Sequence, residues 1–169
     1  NYAYPLDDPA RIARERQTAD ANAAQCASGE APSACTALGL AFRDGEGRPQ
    51  NRPVAELVLR EACAAGEPTA CAELGAMLRA VAKIDTLPHA RFIARACALG
   101  KLSACAEHAQ LIEAGVGQPA DINAADAVRA RACDGGDAGS CLALAQSLTD
   151  PRRAPEKRAA GVALIDRLC

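Results

Sequence analysis

The sequence predicts an all-α protein of stacked helix pairs, and three observations carry that prediction. First, the nine cysteines stand at positions 26, 35, 63, 71, 97, 105, 133, 141 and 169, so the first members of successive pairs recur every 34–37 residues. Self-similarity at such a period marks a repeat architecture, in which each unit buries its apolar face against its neighbours. Second, glycines follow apolar periodic runs and prolines open them, the asymmetry expected of helix ends and starts. Third, no run of alternating apolar residues is long enough for a strand.

The elements follow in order. Asp8-Pro9 sets a capping acid before a proline and opens a helix over 9–27, which Gly29 stops. A second helix over 33–44 runs into a loop containing Gly45 and Gly47, and a third over 53–65 ends at Gly66. Pro68 opens a fourth over 69–83, and Pro88 a fifth over 88–99 that Gly100 terminates. A sixth over 102–114 leads into the loop with Gly115 and Gly117, after which Asp121, Asn123 and Asp126 resemble the N-terminal cap of a seventh, over 123–134, stopped by Gly135. The eighth and ninth cover 138–148 and 155–168. Connections this short place sequential helices side by side and antiparallel. With no Pro- or Ser-rich linker and no shift in composition, residues 1–169 read as a single domain.

Composition narrows the function classes. Half the chain is hydrophobic by type, but 42 alanines and 9 cysteines supply most of that half, and aromatics are only 2%. The core is therefore thin, and no aromatic platform exists for stacking sugars or bases. Nineteen Lys and Arg against 21 Asp and Glu give a net charge of −2, with the signs interspersed. That pattern excludes the basic footprint of a nucleic-acid or anionic-membrane binder. No apolar run reaches the length of a bilayer-spanning helix.

The cysteine context repeats. Glu61-Ala62-Cys63-Ala64-Ala65-Gly66 with Ala70-Cys71 returns as Arg95-Ala96-Cys97-Ala98-Leu99-Gly100 with Ala104-Cys105, and again as Arg131-Ala132-Cys133 with Ser140-Cys141. Three readings compete. Zinc favours shorter clips, usually with histidine, and the chain has only two histidines. Each cysteine could instead be a small buried hydrophobe standing in for alanine. The favoured reading is disulfides Cys26–Cys35, Cys63–Cys71, Cys97–Cys105 and Cys133–Cys141, because each pair brackets a glycine turn that brings two helix ends together. Staples also suit a thin core, and they imply an oxidising compartment, periplasmic or extracellular. A start at Asn1 suits a mature product after signal-peptide removal.

These residues resemble the Sel1-like repeat family, relatives of the tetratricopeptide repeats, and specifically its cysteine-rich bacterial branch. Ala34-x3-Leu38-Gly39-x2-Phe42-x2-Gly45-x-Gly47 is similar to the family's first helix and turn, and the R-A-C-x-x-G ends match its second. The resemblance implies a right-handed α/α solenoid of about four and a half helix-pair repeats, each with one disulfide, its first helices lining a concave groove. Two departures stand out: His108-Ala109 replaces Leu-Gly, and Leu144-Ala145 keeps half of it. The G-x-G turn is absent after Leu78 and Leu148, which predicts altered loops there.

Chemistry is sparse. His89 reads as a solvated first-turn residue and His108 as a buried, hydrogen-bonded one at a core position. No G-x-S-x-G elbow, S-x-x-K, phosphate loop or C-x-x-C is present, so neither a catalytic residue nor a cofactor nor a metal site is expected. The favoured function is an interaction module, either adaptor, scaffold or immunity-type binder. A protein or peptide partner would then meet Arg43, Glu73, Arg79, Glu107, Gln110, Glu113 and Gln146 in the groove. The runner-up, which the resemblance supplies, is a secreted β-lactam-binding or cell-wall-directed hydrolase. Cys169 repeats the context of Cys133 without a local partner, so it is expected to be a free thiol, a candidate for a disulfide-linked dimer, at the edge of a half repeat.

Overall fold

A computed structural model describes residues 8–29, 31–82, 84 and 86–168. Among the described residues there are nine helices and no strand. They are α1 (Pro9–Ser28), α2 (Pro32–Asp44), α3 (Arg52–Ala64), α4 (Pro68–Ala82), α5 (Leu87–Ala98), α6 (Leu102–Glu113), α7 (Ile122–Asp134), α8 (Ala138–Thr149) and α9 (Pro155–Leu168). Their ends fall within one residue of the sequence reading, because the caps are local. Asp8 accepts the Ala10 N–H at 3.0 Å, Asn51 that of Val54 at 3.2 Å, and Asp137 that of Ser140 at 2.8 Å. Asp121 accepts from both Asn123 and Ala124. Each bond satisfies an N–H that the first helical turn leaves without a partner.

One turn recurs. The Gly66 N–H donates to the Cys63 carbonyl at 3.1 Å and the Glu67 N–H to the Ala62 carbonyl at 3.0 Å. Gly100 and Lys101 repeat this toward Cys97 and Ala96, as do Gly136 and Asp137 toward Cys133 and Ala132. This is the Schellman termination, which needs a left-handed residue three positions after the cysteine. The register corrects one expectation: Gly136, at φ +97°, occupies that position, while Gly135 is still right-handed. Across these turns run four disulfides, Cys26–Cys35, Cys63–Cys71, Cys97–Cys105 and Cys133–Cys141, with Cα atoms 4.6–4.7 Å apart. They join α1 to α2, α3 to α4, α5 to α6 and α7 to α8. In the chain-entropy account, closing a loop of this length stabilises by about 2–3 kcal/mol.

The chain forms two compact units, Asn1–Met77 and Leu78–Cys169. In the first, α2 packs between α1 and α3. Its core is made of small residues with a few leucines: Ala55, Leu59, Ala62, Ala70 and Leu74 are buried with Cys63 and Cys71. Gly39 lets α2 and α3 approach, since a Cβ there would sit 2.7 Å from Leu59 Cγ. At Gly47, φ +69°, a Cβ would meet the Glu15 backbone of α1 at 2.2 Å, so the G-x-G turn is held against the first helix. In the second unit the order α5, α6, α7, α8, α9 is also the packing order. Its centre is Ala96, Ala109, Ala125, Ala132 and Ala145, with Ile93, Ile112 and Val128 between them. The second G-x-G loop, Gly115 and Gly117, precedes α7, whereas the turn before α9 lacks it and is closed by Arg152 on Asp150.

Because the added methyl at Gly39 points at a fully buried side chain, Gly39→Ala is expected to lower unfolding stability by about 1–3 kcal/mol. Urea melts of the oxidised protein, followed by circular dichroism, measure it. A melt that matches the wild type would mean that α2 and α3 separate freely at this point.

Candidate functional site

Counting from each second cysteine aligns the even-numbered helices. Glu73 and Glu107 share one repeat position, Gln110 and Gln146 a second, and Arg43, Arg79 and Glu113 a third. Successive positions three apart lie on one stripe of a helix. In the first unit, Arg43 of α2 donates from Nη1 to Glu73 of α4 at 2.6 Å, and from Nε and Nη2 to Asp44. The Asp44 carboxyl is held below its ordinary range by that guanidinium, and the Arg43 guanidinium is raised by Asp44 first and Glu73 second. In the second unit, Arg79 reaches Glu107 of α6 at 3.3 Å. These side chains are half-exposed, and Gln110 and Gln146 are exposed. Glu113 departs from the stripe and turns inward.

Its partner is Arg129, one of two charged core residues that the sequence reading missed. Arg129 stands four residues before Cys133, where the two preceding repeats have the buried Leu59 and Ile93. It is only 5% exposed, and Glu113 takes it in a bidentate pair at 2.6 and 3.0 Å. Glu113 raises its pKa. Asp126, 6% exposed, completes the cluster: it accepts from Arg129 at 3.4 Å, from Ser147 at 2.6 Å, and from Arg153 in a close ion pair. Asp126 therefore does not belong to the α7 cap; Asp121 caps alone. Two carboxylates and two guanidiniums balance, and they tie α6, α7, α8 and the turn before α9 together. A signal was present in the register, because an arginine in a Leu/Ile column demands a buried carboxylate.

The histidines also depart from expectation. His89 is not solvated but fully buried, and its Nε2 lies 3.3 Å from Glu107 of α6. It sits eight residues before Cys97, the column of buried Ala55 and Ala125, so α5 turns it toward α6. His108 is half-buried, and its enclosed Nδ1 has no hydrogen-bond partner. Burial first, and the nearby Arg131 second, lower its pKa below the ordinary imidazole value.

Among the described residues no group of His, Cys, Asp and Glu is arranged to hold a metal. Cys169 lies outside the described residues. No helix among them is long and apolar enough to cross a membrane.

Two outcomes are expected. Asp126→Asn leaves two buried guanidiniums short of a counter-charge and should cost about 3 kcal/mol in chemical denaturation, far more than Asp20→Asn on the surface. His108 has a folded pKa below its unfolded value, so its contribution is present above about pH 6.5 and is lost as pH falls through the lower folded value. Replacing it by leucine should therefore flatten the decline in stability between about pH 7 and pH 5, read from melts at each pH.

No family model and no curated protein matches the sequence. Solved structures do. A Sel1 repeat protein from Oxalobacter formigenes aligns with 98% of this chain and 76% of its own length, at 20% identity and TM-score 0.68. A protective antigen present in uropathogenic Escherichia coli strains, displaying an SLR fold, aligns with 83% of this chain at 16% identity and TM-score 0.68. This chain spans only 31% of that second protein. The paired helices, the recurring Schellman turn and the register of buried columns agree with these likenesses, and the four disulfides fit the cysteine-rich branch. The chain has the Sel1-repeat fold.

Proposed function

We propose that this protein is an extracytoplasmic protein–protein interaction module, an adaptor, scaffold or immunity-type binder, that meets its partner through the polar stripes that the even-numbered helices carry within each unit. The observation that carries this reading is that the same repeat positions hold half-exposed ion pairs, Arg43 with Glu73 and Arg79 with Glu107. Side chains already ordered by such pairs lose less entropy when a partner arrives. Charge arranged in this alternating way favours register and partner choice over raw affinity. The likeness in fold to Sel1-repeat proteins supports an interaction role in general. Four disulfides support a periplasmic or extracellular setting, since such bonds persist where thiols are not kept reduced.

The test begins with capture from a periplasmic extract by the oxidised protein under non-reducing conditions. The captured partner is then titrated against the double variant Arg43→Glu/Glu73→Arg. The swap keeps the cross-helix pair, gives up the Arg43 bonds to Asp44 and inverts what the face presents; it should weaken binding about tenfold with helicity unchanged. Arg60→Glu on α3 should leave binding unaltered. Equal losses in both variants would show that the face is wrongly assigned. The hydrolase reading is tested separately with a chromogenic β-lactam, for which no turnover is expected.

A further inference from the structure

Three of the four repeats place a leucine three residues after the second cysteine: Leu38, Leu74 and Leu144, all buried. The remaining repeat places His108 there. Its ring is half-buried, and Nδ1 is enclosed without a hydrogen-bond partner. A polar side chain in an apolar column, with a nitrogen that the fold leaves unsatisfied, sets this repeat apart from the other three.

Two hollows open beside it. One, of about 280 Å³, lies among α5, α6 and α7 against Val128 and the Cys97–Cys105 disulfide, with Arg131 on its wall. The other, of about 180 Å³, is walled by Leu87, Leu111, Ile112 and Val116, with Arg91 on its wall. Ala94 and His108 line both, so the two hollows adjoin there and together make a cleft divided at His108. Acids outnumber bases in the chain, yet no Asp or Glu lines either hollow. Both cations are exposed, and among the described residues no carboxylate is paired with either.

We infer that this cleft is a second binding site, distinct from the even-helix stripe, and that it takes a peptide segment presenting a carboxylate beside an aliphatic side chain. The carboxylate sits in the larger hollow, accepting hydrogen bonds from the Arg131 guanidinium and lying beside the His108 ring, whose enclosed Nδ1 it reaches only when the ring turns. The aliphatic side chain fills the smaller hollow against Leu87 and Val116. Arg91, at that hollow, adds long-range attraction for an acidic segment. The charged groups lining the hollows beside His108 are Arg131 from α7 and Arg91 from α5; burial first and Arg131 second disfavour the imidazolium. A bound carboxylate offsets them, so binding is accompanied by a rise in the His108 pKa and strengthens as pH falls.

The chain has only two histidines, and His89 is buried away from solvent, which provides an internal control. The probe is a pool of acetylated, amidated alanine/serine hexapeptides carrying one Glu and one Leu at adjacent or alternate positions. It is titrated into the oxidised full chain carrying isotope-labelled histidine. The His108 ring signals should shift saturably with an upward pKa, the His89 signals should not, and a pool with Gln for Glu should bind at least about tenfold more weakly. Arg131→Gln should lose the same factor. So should His108→Leu, which installs the residue of the other repeats, with binding followed by the Val128 methyl signals. The inference is overturned if the Glu and Gln pools bind equally, if neither moves His108, if inorganic phosphate alone reproduces the shift while the peptides do not, or if both variants bind like the wild type.

Discussion

How closely two helices approach across a disulfide-closed glycine turn is the constraint on which the rest of this structure depends. The Schellman bonds at Gly66, Gly100 and Gly136 stop one helix at a set point after its cysteine, and the disulfide then brings the next helix to a Cα separation of 4.6–4.7 Å. Where two helices are pinned that closely at the cysteines, small side chains suit the neighbouring positions: Ala62, Ala96 and Ala132 precede three of the first cysteines, and Ala34, Ala70, Ala104 and Ser140 precede the second. A core of alanine buries little apolar area per residue, so the covalent link contributes what larger side chains would contribute elsewhere.

Once the columns are set, the informative residues are those that break them. Arg129 occupies the position of Leu59 and Ile93, and the fold accommodates it by bringing Glu113 and Asp126 against it and Arg153 against Asp126. A paired buried charge of this kind adds little net stability compared with an apolar residue, but it is costly to break, and it restricts which packing of α6, α7 and α8 is acceptable. His108 breaks a leucine column in a different way. No acid lines the hollows beside it, its enclosed Nδ1 has no hydrogen-bond partner, and the two hollows adjoin at its ring. The two departures differ in whether the fold supplies the partner, and that difference separates a structural clamp from a binding position.

Charge on the even-numbered helices follows a third pattern. Arg43 and Glu73, like Arg79 and Glu107, sit at repeat positions that the core does not use, and they pair with one another at half exposure. Such pairs are weak contributors to stability, since solvent screens them. Their regular placement is the feature on which the proposed interaction role rests. The same helices thus carry three layers of information: a small inner face that permits stacking, a lateral position occupied by leucine or His108, and an outer polar stripe.

Much of this was legible from residues alone. Period, helix limits and turn glycines are local properties, encoded by caps and by left-handed positions within a few residues of each other, and they stand where the spacing places them. The one slip, Gly135 for Gly136, came from two adjacent glycines, either of which can take a positive φ; only the hydrogen-bond register separates them. What local sequence did not decide is which face of a helix a polar residue takes. By sequence His89 reads as solvated at a helix start, Asp126 as part of a cap and Glu113 as a groove residue, yet each is directed by a group outside its own helix: Glu107 for His89, Arg153 in the turn before α9 for Asp126, and Arg129 for Glu113. Those partners lie 16, 18 and 27 residues away in the chain. A charged side chain settles where its counter-charge and its desolvation balance, and that balance exists only after the helices have packed.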